Sequence, residues 1–373
     1  MDRNDLEKII QLRHDLHAHP ELSLKEDETK ARLMAFLEEN TDLSVADRGK
    51  WFYAVSGSDG PAGRKPVAFR ADLDALPIPE TICLPYGSLR PGVSHKCGHD
   101  GHAAALAGLA LELSKKKIRD RSVYLIFQMG EEIGRGGEEC SRLIDEKRIG
   151  EVYAFHNLSG YPEGTVVYRP RLTQPASEGL TIAFEGRTCH ASEPEKGRNP
   201  SQAIAEMVLF LGEKLREPHQ GMLLGTVVGI QSGGNDFGLS AGEGAFRVTL
   251  RAEEETEMTA LETALRERAE MLGKRDGLRV HVRTEDPFSA TVNDDRCLEK
   301  VKAAAAALGI PSMKMNTLWR ASEDFGYYQK RCPGAIFYIG NGESYPPLHT
   351  AEYDFDDRIL PHAVDLFYEI ARM

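Results

Sequence analysis

Residues 95–102 read HKCGHDGH, placing three histidines, a cysteine and an aspartate in one short stretch. Thiolate and imidazole are ligands for zinc-like divalent ions. Cys97 and His99 are two apart, and in an extended segment such positions project to the same side, so both can reach one metal centre. Gly98 between them permits a tight backbone. Asp100 fits either a helix N-cap or a group that orients a ligand. His102, in the first helical turn, reads as packing or as support for a ligand, and His95 has no evident role. A bare Cys97 thiolate of low pKa would be the redox-regulatory alternative.

Further candidates stand where apolar runs end. PVAFRAD (66–72) ends in Asp72, VYLIFQMG (123–130) is followed by Glu131 and Glu132, VYAFH (152–156) ends in His156, and AIFYIGN (335–341) leads into PPLHT (346–350) with His349. In an open α/β sheet ligands gather beyond the carboxyl ends of the strands, so these carboxylates and imidazoles converge on one crevice. Adjacent side chains in extended backbone point in opposite directions, so one of Glu131 and Glu132 binds metal while the other faces an attacking water as general base. With Cys97 and Glu132 anionic and His99, His156 and His349 neutral, two divalent ions leave a centre still net positive. A hydroxide and an anionic substrate would balance it. Thiolate and imidazole favour zinc, whereas carboxylate and water also admit manganese.

Positioning these groups needs a sheet. The apolar runs are short and rich in β-branched or aromatic residues; two helical stretches, 3–18 and 26–39, precede them, and others at 101–117 and 297–309 lie between them. That alternation implies an α/β fold with a mostly parallel sheet covered by helices on both faces. Residues 178–288 follow another pattern. LTIAFEG (180–186) is a strand and 199–217 a helix, with Asn199 as cap and Pro200 at its first position. LLGTVVGIQ and GAFRVTLRAE are two strands around a glycine-rich loop; a helix over 254–272 ends at Gly273, and 278–288 closes with a strand. The order β-α-β-β-α-β is ferredoxin-like. The expected organisation is a discontinuous metal-binding domain, 1–176 and 290–373, with an inserted α+β domain, 177–289.

Composition excludes several classes. The chain has 373 residues, 41% hydrophobic and 28% charged, which suits a globular protein with a sizeable core. A net charge of −12 opposes a polyanionic partner, so nucleic acid is not expected. The basic run KKKIRDR (115–121) follows an apolar helix and suits its C-terminal dipole without a partner. No early apolar run suggests a membrane or secretory segment, and the six scattered cysteines lack a CxxC pair, so a cytosolic protein without a disulfide framework is expected.

Taken in order, HDLHAHPELS (14–23), RADLDALP (70–77), HKCGHDGH, QMGEE (128–132), CHASEPEKGRNP (189–200), SEDF (322–325) and PPLH (346–349) resemble one family. It is the amidohydrolase branch of the aminoacylase and glutamate-carboxypeptidase metallopeptidases, which includes hippurate hydrolases, N-acyl amino acid deacetylases and indole-acetyl-amino-acid hydrolases. The resemblance implies that Cys97, His99, Glu132, His156 and His349 hold two divalent ions, zinc or manganese, with cobalt or nickel compatible, and that Glu131 is general base and acid. It implies that the inserted domain is a lid and dimerisation domain, giving a homodimer. His190 would stabilise the oxyanion and Arg251 would bind the substrate carboxylate. The chain departs from the family in QMGEE for the commoner QPAEE, in Gly238 where an asparagine is usual, and in NLSGYPEG after His156.

The expected activity is hydrolysis of the amide of a small N-acyl amino acid by metal-activated water. A dipeptidase or carboxypeptidase acting on short peptides shares this chemistry. A non-catalytic metal-binding assembly module is the alternative from another class; it has no use for a base at Glu131.

Overall fold

The computed structural model describes residues 1–57 and 64–373, which fall into two compact units. The larger comprises Met1–Thr173, Thr291–Leu318 and Glu323–Met373, and the smaller Gln174–Ala290 and Trp319–Ser322. The short return Trp319–Ser322 belongs to the smaller unit, where Arg251 Nη1 donates to Arg320 O (3.0 Å) and Ser322 Oγ (2.9 Å).

The chain begins α1 (Arg3–Ala18), α2 (Asp27–Asn40), β1 (Ser44–Asp47), β2 (Phe52–Ser56), β3 (Val67–Asp72), α3 (His99–Lys115), β4 (Val123–Gln128), α4 (Gly136–Cys140), α5 (Arg142–Glu146), β5 (Glu151–Ser159), β6 (Val166–Tyr168) and β7 (Arg171–Gln174). It continues with β8 (Ala176–Glu185), α6 (Ser201–Lys214), β9 (Leu223–Ser232), β10 (Glu243–Ala252), α7 (Glu255–Asp276) and β11 (Arg279–Phe288). It closes with β12 (Thr291–Asn293), α8 (Asp295–Ala307), β13 (Ser312–Lys314), α9 (Gly326–Gln329), β14 (Gly334–Gly342) and α10 (Leu360–Arg372).

The larger unit is built on an eight-stranded sheet in the order β1-β2-β4-β3-β5-β14-β6-β13. Its centre, β4-β3-β5-β14, is parallel, with antiparallel pairs towards both edges. Strands β3 and β4 are buried at every position, so their sequences show no alternation of apolar and polar residues. On one face α1, α2, α3, α8 and α10 enclose a core around Leu106, Leu109, Phe69 and Phe367; on the other α4, α5 and α9 cover Tyr124, Ile126 and Ile336. Alanine lines much of α3, which lets that helix lie close to the sheet, and a Cβ on its Gly101 would stand 2.3 Å from the Phe355 ring.

Strand β5 runs beyond the expected end at His156 to Ser159, because β14 pairs with it residue by residue through Ile339–Asn157 and Gly340–Leu158. His156 is therefore an internal strand residue, and NLSGYPEG (157–164) begins inside β5, with Asn157–Ser159 as its last three strand residues.

The smaller unit is a four-stranded antiparallel sheet, β11-β8-β10-β9, with α6 and α7 packed on it, giving the connection order β-α-β-β-α-β. Helix α7 does not stop at Gly273. It runs to Asp276 and ends at Gly277, whose φ of 65° is the left-handed C-cap conformation. Gly273 is a packing residue instead, since a Cβ there would stand 2.4 Å from Val280 Cγ2. Helix α6 starts at Ser201 with Pro200, not Asn199, at the cap position; the Asn199 side chain sits one residue earlier and accepts the Ser201 N–H at 2.9 Å.

Candidate metal centre

Cys97 and His99 are not joined by extended backbone. His99 is the first residue of α3, and Gly98 before it has φ 99°, a left-handed conformation that turns the chain sharply into the helix. A Cβ on Gly98 would also lie 2.3 Å from Asn157 Oδ1, so the site needs glycine on two counts. The turn, rather than strand alternation, brings thiol and imidazole to one centre.

Glu131 and Glu132 also depart from the extended geometry expected of them. They follow Gly130 (φ 61°) into a turn closed by Gly134 N–H donating to Glu131 O at 2.8 Å. Their N–H groups both donate to Asp74, at 3.2 and 2.9 Å. Both carboxylates consequently face the same imidazole: His99 Nε2 is 3.8 Å from Glu131 Oε2 and 3.7 Å from Glu132 Oε1. The two acids differ in their other neighbours. Glu132 groups with Cys97 and His349, whereas Glu131 groups with Glu323 and Asp324.

Two sets of three ligand atoms share the thiol. Cys97, His99 and His156 form one, and Cys97, Glu132 and His349 the other. Cys97 Sγ lies 3.4 Å from His156 Nε2 and 3.3 Å from His349 Nε2, and His349 Nε2 lies 3.5 Å from Glu132 Oε1. His99 Nε2 and Glu132 Oε1 are buried and make no hydrogen bond. Orphaned donors and acceptors of this kind are costly in a folded protein, and a cation between them satisfies both. The residues thus fit two divalent ions, for which Cys97 would belong to both ligand sets.

Electrostatics agree. Burial, followed by the charges of Glu132, Glu131 and Asp72, pushes the Cys97 thiol well up. Against burial, Asp72, Asp74 and Glu132 raise His99 to about 10. Neighbouring carboxylates contribute to both shifts, after burial in the case of Cys97, and a divalent cation would neutralise that charge. Glu131 is pushed well up by burial and then by Glu323 and Glu132.

Around these atoms lies a second set of contacts. His99 Nδ1 is 3.3 Å from Asp74 Oδ1, which orients the ring. His102 is held by hydrogen bonds to Asp72 (2.6 Å) and Asn157 (2.7 Å), neither of them a proposed ligand, so its place does not rest on packing alone. Arg70, wholly enclosed in β3, donates to Asp72 (2.8 Å), Asp324 (2.6 Å) and Gln128 (2.9 Å), with Glu323 at 3.0 Å. Asp100 is neither cap nor ligand support: it lies inside α3 and pairs with His17 (2.8 Å) and Arg13 (3.4 Å) of α1. Asp74 and Arg70 went unassigned in the sequence. For Arg70 the available signal is a charged side chain inside the otherwise apolar strand β3, which requires a buried partner; Asp74 lies two residues beyond that strand and carries no such mark.

His190 and Arg251 belong to the smaller unit. His190 is exposed, with Nδ1 accepting from Ser192 Oγ (2.7 Å) and N–H (3.1 Å). Arg251 on β10 is partly buried, which lowers its pKa, and among the described residues no carboxylate pairs with it. Gly238 O accepts from Ala191 N–H at 3.0 Å, tying the loop of the replaced asparagine to the residue after His190.

The profile of Peptidase family M20/M25/M40 matches residues 68–373. An N-acetyldiaminopimelate deacetylase of Exiguobacterium sibiricum is 28% identical over 375 residues, covering 97% of this chain and 98% of that protein. An N-acetylcysteine deacetylase of Bacillus subtilis is 28% identical over 371 residues, covering 98% and 96%. The crystal structure of a dinuclear metal-binding peptidase of the M20 family from Bacillus subtilis superposes with a TM-score of 0.80 at 25% identity, covering 99% of this chain and 98% of that one.

Proposed function

The chain belongs to peptidase family M20/M25/M40 and is a metal-dependent amide hydrolase of the deacetylase type, and from that premise we propose that it removes the acyl group from small N-acyl amino acids. The observation that carries this reading is the pair of ligand sets sharing Cys97, with Glu131 beside them and outside the second set.

In this proposal Cys97, His99 and His156 would hold one ion and Cys97, Glu132 and His349 the other. When bound, the ions acidify water and polarise the acyl carbonyl. Glu131 accepts the proton from the attacking water as the carbonyl carbon is attacked, then returns it to the amide nitrogen as the C–N bond breaks, releasing a carboxylic acid and an amino acid. Asp74 holds the Glu131 and Glu132 turn and the His99 ring in place. His190 takes the oxyanion and Arg251 the substrate carboxylate; an arginine that has no carboxylate partner among the described residues suits that second role.

Zinc or manganese is the proposed native metal, because the donor set mixes thiolate and imidazole with carboxylate. The smaller unit is proposed as a lid and as the contact surface of a homodimer. Support comes from β9, an edge strand of its sheet, where Val228 and Ile230 are exposed, and from exposed Leu209 on α6. A cytosolic location fits the free state of all six cysteines. Among the described residues no helix is long and apolar enough to cross a membrane.

The test is a hydrolysis panel with manganese, zinc and cobalt supplied in turn, comparing N-acetyl amino acids with dipeptides. We expect the N-acetyl amino acids to be cleaved with the higher kcat/KM, and loss of that preference when their carboxylate is amidated. Faster cleavage of dipeptides would overturn the substrate assignment.

A further inference from the structure

Of the proposed ligands, His349 has the least support from secondary structure. It lies in a loop after β14, its side chain is 51% exposed, and its backbone is left-handed at φ 62°. A non-glycine residue in that conformation is strained and persists only where its surroundings over-determine it.

Those surroundings converge on Lys96. Its carbonyl accepts the N–H of His349 at 2.7 Å, and its ammonium donates to the carbonyl of Tyr353 at 2.7 Å, four residues further on. A single residue therefore grips both ends of the turn that presents His349. The next residue in the chain is Cys97, whose Sγ lies 3.3 Å from His349 Nε2. Main chain and side chain of Lys96 together set the distance between the shared thiol and the exposed imidazole.

The lysine is fully buried, which is unfavourable for a cation without a partner. Its partner is Glu80, 2.5 Å from Nζ, and Glu80 is itself fixed by His17 Nε2 (3.0 Å) and by the N–H of Ser88 (2.7 Å). Against burial, the bonds from His17 and Lys96 hold the Glu80 carboxyl down to about 2, so the carboxylate is ionised throughout the neutral range. The N–H of Thr81 donates to Ala351 O at 3.3 Å, fastening the same two loops once more. None of these atoms is a member of either ligand set.

We propose that Lys96 is a positioning residue that clamps the 349–353 turn and so pre-sets His349 for the second metal ion, the one shared by Cys97 and Glu132. This rests on the two-metal reading. It differs from that reading in predicting that loss of one ammonium group weakens one ion and spares the other.

The experiment uses Lys96→Met, which keeps the buried stem and the carbonyl but removes the ammonium. Because that change leaves Glu80 short of a partner, the double variant Lys96→Met with Glu80→Gln is measured beside it. Metal-free wild type and both variants are titrated with cobalt, following visible absorption and bound equivalents, with thermal unfolding and circular dichroism as checks on the fold. Wild type is expected to bind two equivalents. In at least one folded variant the weaker equivalent should lose roughly ten- to a hundredfold in affinity, the usual effect of altering a group behind a ligand, with the tighter one unchanged. Activity at saturating cobalt should return towards wild type.

If wild type binds fewer than two equivalents, the two-metal reading fails first. If wild type binds two and a folded variant binds both as tightly, the lysine proposal alone fails. It also fails if both ions weaken equally, or if neither variant folds, because the clamp is then a requirement of the fold and not of one ligand.

Discussion

Replacing Glu131 by glutamine will lower kcat by roughly a hundred- to ten-thousandfold, the range a positioned general base contributes, while bound metal stays at the wild-type level. The change is nearly isosteric and removes only the capacity to carry a proton. Glu131 is buried, its carboxylate 3.8 Å from His99 Nε2 and beside Glu323 and Asp324, in surroundings that favour a proton on it. A group that takes a proton from water and returns it to an amine nitrogen needs such an elevated proton affinity. Kinetics and metal content on the same preparation separate the roles. Near-normal turnover would remove Glu131 from the chemistry, and loss of metal in step with activity would make it a ligand.

Replacing Arg70 by methionine will destabilise the larger unit by about 3–5 kcal/mol, the usual cost of removing one partner from a buried ion cluster. The guanidinium is enclosed among Asp72, Glu323 and Asp324, and all three carboxylates are buried with it. Burial, even against Arg70, already pushes Asp324 up to about 7. Without the cation, further carboxylates must take up protons or strain outward, and Asp72, which holds His102, is among them. The check is the denaturant midpoint of Arg70→Met against wild type. The double variant with Asp324→Asn should recover part of the loss, because an orphaned charge and not a missing contact is the main cost. A loss below about 1 kcal/mol, the scale of an exposed ion pair, would show that the cluster is solvated.

Much of the larger unit can be read in its strands. VYLIFQ is β4 from end to end, since an apolar run too short for a helix and rich in β-branched and aromatic residues has few other stable forms. The local geometry at the chemistry was less legible. Cys97 and His99 meet through the left-handed Gly98, and a positive φ leaves no mark on hydrophobic periodicity. Glu131 and Glu132 turn to the same side because Asp74, far away in the chain, accepts both N–H groups. Asp100 looked like a cap because it precedes an alanine-rich run; its actual partners, His17 and Arg13, come from the first helix. Gly273 looked like a helix terminus, and the true terminus is four residues later, at Gly277. In each case the deciding contact is long-range or depends on one dihedral angle. Residue type and spacing were enough to collect the ligand candidates, and tertiary contacts determine which face each one turns to the centre.

The most direct measurement is restoration of metal-free protein. With metal removed by chelation, the protein should not hydrolyse N-acetyl amino acids, and manganese or zinc added back should restore hydrolysis in step with binding, reaching its plateau at two equivalents per chain. Full activity in the chelated protein, or two bound equivalents with no hydrolysis of any acylated amino acid, would contradict the account.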